Sequence, residues 1–200
     1  MILRSSPFSP FGRKVKIAAH VLGLADRIEV VVADTNDPAD SLRSQNPLGK
    51  IPILLLDDGS SLYDSRVIVE YLDHAAGGGR IIPHGEARFP VLRLQALADG
   101  ILDASILRVY EARFRPEAIR SPEWVAYQAD KVRRTLGVIE TAPPVFDQEM
   151  PDIGAITLAC ALGYQDLRFD GWWRAEFRSL VAWLDAFAVA VPSWEKTKPA

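Results

Sequence analysis

Three short stretches of this 200-residue chain bring together residue types that can do chemistry. In the first, Ser9-Pro10-Phe11 runs into Gly12-Arg13-Lys14-Val15-Lys16, setting a hydroxyl just before a proline-started helix. The first amides of a helix lack partners and its dipole is positive there, so an anion such as a thiolate is stabilised at that point. Taken alone, Ser9 reads first as a plain N-cap, and Ser5 and Ser6 are competing hydroxyls nearby. The second stretch is Asn46-Pro47-Leu48-Gly49-Lys50-Ile51-Pro52-Ile53-Leu54, and the third is the acid–hydroxyl pair Asp64-Ser65, which in isolation is a plain helix cap. Cys160 has no second cysteine to pair with and lies in an apolar run, where a thiol is a small buried hydrophobe. With three histidines, one cysteine and no cluster at ligand spacing, no metal is predicted.

The elements that must position these residues follow from periodicity. Ile2-Leu3 starts a strand, and Ser5 to Pro10 breaks it. Val15, Ile17, Ala18, Val21 and Leu22 then recur at helical spacing up to Gly23. Ile28 to Val32 is β-branched and predicts a strand parallel to the first, giving a βαβ unit. Pro52 to Leu56 and Ser61 to Tyr63 flank the hairpin turn Asp57-Asp58-Gly59. A helix from Asp64 or Ser65 follows, with Val67, Ile68, Tyr71 and Leu72 on one face. This gives an α/β unit over residues 1–76, then a glycine-rich linker over 77–87.

Residues 88–200 carry no strand signal. Leu92 to Ile106 and Val132 to Ile139 keep helical spacing, Pro143-Pro144 stops the second helix, Asp152 caps a third through Leu162, and Arg174 to Phe187 supplies a fourth. The fold class is α/β plus all-α, two domains in one chain. Apolar residues make up 48% of the sequence and charged ones 24%, the balance of a globular protein, and no apolar run is long enough for a bilayer. The net charge of −3 gives no basic excess for nucleic acid or an anionic membrane, so neither is an expected partner, and a cytoplasmic location is expected.

The Asn46–Leu54 segment, followed by a turn, a strand and Asp64-Ser65, resembles the glutathione transferase superfamily. Ser9-Pro10-Phe11 with Lys14-Val15-Lys16 is similar to its serine-bearing classes, nearest to the tau type and small bacterial relatives; the omega type has cysteine where this chain has Ser9. Gly154 to Asp166 looks like that family's buried helix, although Ala155 stands where an acidic residue usually completes its capping box.

The resemblance implies a thioredoxin-like N-terminal domain, a helical C-terminal bundle, and a symmetric homodimer. It implies that Pro52 is cis and that Phe11, Lys50, Ile51, Pro52, Asp64 and Ser65 bind glutathione, the Asp64-Ser65 pair taking its γ-glutamyl end. Ser9 is then the catalytic residue, donating a hydrogen bond to the glutathione sulfur so that the thiolate attacks a small hydrophobic electrophile. Glutathione is the co-substrate, with no further cofactor. Tyr110 and Phe114, one helical turn apart, line the electrophile pocket or pack in a core. Asp99 and Asp103 share a face of the same helix, which reads as a solvated charged face. Trp172 and Trp173 edge the pocket or fill a gap between helices. The rival reading is a non-catalytic module of the same fold that binds glutathione or a protein.

Overall fold

A computed structural model describes residues 1–199. The chain opens with β1 (Ile2–Ser5), α1 (Pro10–Val21), a 3-10 turn, β2 (Glu29–Val32) and the short α2 (Leu42–Gln45). It continues through β3 (Ile53–Leu55), β4 (Ser61–Leu62) and α3 (Ser65–Ala75). The strands form one mixed sheet in the order β2-β1-β3-β4, with β1 parallel to β2 and antiparallel to β3. Leu3 pairs with Val30 and with Leu54, and Leu3 and Leu54 are buried against α1 and α3. The Ile51–Pro52 and Tyr63–Asp64 peptide bonds are both cis.

After the glycines at 77–79 and a second 3-10 turn, helices follow: α4 (Arg88–Phe114), α5 (Pro122–Thr141), α6 (Ile153–Phe169), α7 (Trp173–Glu176), α8 (Arg178–Ala190) and α9 (Ser193–Lys196). The apolar α6 lies at the centre, buried along nearly its whole length, and packs on α4, α8 and α1. Gly154 lets α4 approach: a Cβ there would stand 2.9 Å from the Val91 carbonyl oxygen. One continuous core joins both halves, from Leu3, Ile17 and Ile68 to Leu102, Leu136, Ile156 and Phe187.

One helix differs from expectation. The predicted fourth helix is two pieces, α7 and α8, because Phe177 leaves helical geometry at φ −119°, ψ 75°. Its ring packs on Trp172 while the Glu140 carboxylate accepts the free Ser179 and Leu180 amides beginning α8. Trp173 is fully buried, its indole N–H donating to Asp166, so of its two open readings the gap between helices is the one it fills.

Candidate active site

Ser9 is the N-cap of α1. Its Oγ accepts the Gly12 amide at 3.1 Å, and Pro10 occupies the first helical position, where no amide proton is needed. Because that bond uses only an oxygen lone pair, the Ser9 proton remains free to donate, and accepting the amide strengthens it as a donor. Ser9 faces the α6 side of the molecule, sharing a narrow cleft with Phe8, Arg13, Gly163 and Tyr164. Ser5 is buried and tucked beneath α1, its Oγ so close to Gly12 that a Cβ there would overlap it. Ser6 accepts the Phe8 amide, and both Ser5 and Ser6 open onto a different cavity.

The Lys50–Pro52 step is held by Asn46, whose side-chain amide donates to the Lys50 carbonyl at 2.9 Å while its Oδ1 accepts the Leu48 amide. Lys50 is exposed and Ile51 half-buried, packed with Ala33, Leu42 and Ile53 in a small separate cluster. Asp64 caps α3 by accepting the Arg66 amide at 2.7 Å, and Ser65 is buried at its first turn. Phe11 is half-buried against the core, with the Lys14 ammonium over its ring at 5.5 Å.

A carboxylate outside the predicted set ties these pieces together. Asp99 on α4 is 1% exposed and accepts from Lys14 of α1 and from Arg66 of α3, each at 2.8 Å. It thus fixes the helix that begins at Ser9 against the helix that begins at Ser65. The expectation of a solvated face for Asp99 is wrong: the helical period put it on the side of α4 that meets both N-terminal helices. Burial opposes the Arg66 charge, but the bond to Asp99 and its charge prevail and hold that guanidinium above its usual range. Asp103, one turn on, is pushed up by burial and by the charge of Asp99, while Arg66 and Lys50 oppose the shift. Lys50, Asp64, Arg66 and Asp103 therefore share one charged neighbourhood.

Tyr110 and Phe114 are 38% and 64% exposed and stack edge to face at 5.1 Å, so the core-packing reading does not hold for them. Arg113 lies between α4 and the loop after β2, donating to Thr35 and Asn36. Tyr164 brings a phenol into the Ser9 cleft. Burial pushes its pKa up against the nearby Arg168 charge, and Arg168 itself sits over the Phe8 ring at 5.2 Å. Sequence reasoning passed over Tyr164 and Arg168, which follow the buried helix pattern at the one end of α6 that reaches the cleft. Cys160 is buried, and burial pushes its thiol up to about 11, far from a reactive thiolate. Among the described residues no cluster of His, Cys, Asp or Glu is arranged to hold a metal ion.

A family model of the glutathione S-transferase N-terminal domain matches residues 3–80. The uncharacterized GST-like protein YibF of Escherichia coli K12 is 31% identical over 171 residues, which span 84% of this chain and 83% of YibF. The chain belongs to the glutathione transferase superfamily. A glutathione transferase family member from Pseudomonas fluorescens Pf-5, solved with bound glutathione, is 41% identical with a TM-score of 0.90, covering 100% of this chain and 98% of that one. The same Pseudomonas protein, solved with bound S-(propanoic acid)-glutathione, superposes with a TM-score of 0.87. The glutathione transferase fold thus extends through both halves of this chain, and its thioredoxin-like part holds Ser9, Ile51, Asp64 and Ser65.

Proposed function

We propose that this protein is a glutathione transferase that ionises the glutathione thiol beside Ser9 and adds it to a small electrophile. The observation that carries this reading is the Ser9 hydroxyl at the N-terminus of α1, its oxygen engaged by Gly12 and its proton free beside the inter-domain cleft.

Glutathione lies along the edge formed by Ile51, Pro52 and the start of α3. The Ile51 amide and carbonyl make no hydrogen bond within the chain among the described residues, which leaves both for the cysteinyl backbone of the tripeptide. The γ-glutamyl carboxylate meets the Ser65 hydroxyl and first amides of α3, its ammonium meets Asp64, and Lys50 and Phe11 flank the rest. The thiol proton leaves to solvent and the Ser9 O–H donates to the sulfur, lowering its pKa together with the helix end. The thiolate then forms the new C–S bond as the electrophile's displaced electron pair leaves with a group or is protonated by water. Tyr110, Phe114, Tyr164 and Arg168 border the electrophile. The S-(propanoic acid)-glutathione bound by the Pseudomonas relative is the kind of adduct such chemistry yields.

A cytoplasmic homodimer is part of this reading. The dimer, not the location, is supported by the exposed apolar Val67 of α3 and Phe89 of α4, and its check is the particle mass in solution. The deciding experiment compares wild type with Ser9→Ala by turnover of a small electrophile and by calorimetric titration of glutathione. Loss of one donor aimed at the sulfur lowers turnover by about two orders of magnitude with affinity nearly intact. A wild type that binds glutathione but turns over no electrophile would instead favour the non-catalytic module.

A further inference from the structure

Across the cleft from Ser9 stand arginines with no acid to answer them. Tyr164 lines the cleft with Ser9, and the charges acting on its phenol are two cations, Arg168 of α6 and Arg113 of α4. Arg168 follows Tyr164 by one helical turn and lies 5.2 Å over the ring of Phe8, the neighbour of Ser9. Arg113 lies 5.0 Å from the Phe114 ring and uses only Nη2 on Thr35 and Asn36, so its Nε and Nη1 are open among the described residues. Contact with aromatic faces holds a planar guanidinium in place.

A third guanidinium backs this pair. Phe169 meets Tyr164 edge to face at 6.5 Å, and Arg108 of α4 lies 3.8 Å over Phe169. Its buried Nε and Nη1 have no hydrogen-bond partner among the described residues, and burial pushes its pKa down with no carboxylate opposing. None of the three arginines has an ion pair among the described residues. Acids on the same helices are engaged elsewhere: Glu111 by Arg115 and the Ser121 amide, Asp166 by Arg174 and the Trp173 indole. Asp170 has already left α6, with φ 55°.

Like charges set side by side repel until an anion joins them, and a guanidinium fork offers a carboxylate two parallel N–H donors. The gap these arginines face is walled by flat rings. We propose that the electrophile carries a carboxylate, received by Arg168 and Arg113, on a flat unsaturated frame lying among Phe8, Tyr110 and Tyr164. This inference rests on the transferase reading and narrows its substrate class, since a purely hydrophobic electrophile would leave the arginines unanswered.

The test uses a matched pair of probes, 4-chloro-3-nitrobenzoate and the neutral 4-chloro-3-nitrobenzamide. With either, the glutathione thiolate forms a C–S bond at the chlorine-bearing carbon, chloride leaves with the bonding pair, and the thiol proton goes to solvent. For each probe kcat/KM is divided by the rate constant of its reaction with free glutathione, which removes the intrinsic difference in reactivity. Wild type should favour the acid by about tenfold or more, and Arg168→Gln and Arg113→Gln should each lose most of that preference, while Arg168→Lys, which keeps the charge, retains part of it. Calorimetry of glutathione on the same variants separates the alternative anion. If the variants weaken glutathione binding and keep the preference, the arginines serve the tripeptide's own glycyl carboxylate and the proposal is overturned. Equal handling of acid and amide by wild type overturns it too, with the transferase reading intact. Turnover of neither probe nor of 1-chloro-2,4-dinitrobenzene removes the transferase reading and this inference with it.

Discussion

Buried inside α6, Cys160 gives up its proton only near 11, whereas in the unfolded chain it does so near 9.0. Below pH 9 both states hold the proton and the stabilisation is fully present. As pH rises from 9 to 11 the unfolded state loses its proton first, so stability falls by up to about 1.4 kcal/mol per pH unit from this group. Urea unfolding across that range should therefore show a shallower loss in Cys160→Ala than in wild type; identical slopes would mean that the thiol is not held protonated by burial. The apolar run around Cys160 announced that state, just as the Ser-Pro pair announced the cap at Ser9. Asp99 was illegible at this scale: a charged residue on a long helix looks solvated until the helices it faces are known.

Among the helices, those with many apolar repeats were legible and the shortest were not. α1, α3, α4, α5 and α6 follow from spacing, caps and prolines. By contrast α2 and α9 have four residues each and are fixed by contacts from elsewhere, such as Arg13 holding the end of α9. The break between α7 and α8 was hidden because the apolar period runs straight through Phe177. The α4–α6 contact carries its own prediction. An added methyl at Gly154 must push against the Val91 backbone, which cannot rotate away. Even after the gain in helix propensity, Gly154→Ala should lose about 1–2 kcal/mol in urea unfolding. A variant as stable as wild type would show that α4 and α6 do not meet so closely.

At the scale of the molecule, the two halves share one core and are clasped by Asp99, so residues far apart in sequence stabilise one another. Asp99→Asn keeps the shape but leaves Lys14, itself fully buried, without a counter-charge. The expected loss is about 3–5 kcal/mol, and fluorescence and far-ultraviolet dichroism should still report one coincident transition. A loss under about 1 kcal/mol would place the pair in solvent. The two-part architecture was readable from the switch between period-two and helical patterns, but the clasp, which depends on how α1, α3 and α4 cross, was not. That clasp holds the helix capped by Ser9 against the helix capped by Asp64, and the proposed chemistry rests on this arrangement. Its most direct test is the ultraviolet absorbance of the glutathione thiolate, followed against pH with the tripeptide bound to wild type and to Ser9→Ala. The account predicts a bound thiol pKa well below the free value of about 8.5 in wild type, returning towards it in Ser9→Ala. An unshifted pKa in wild type, or the same lowered pKa in both proteins, would contradict it.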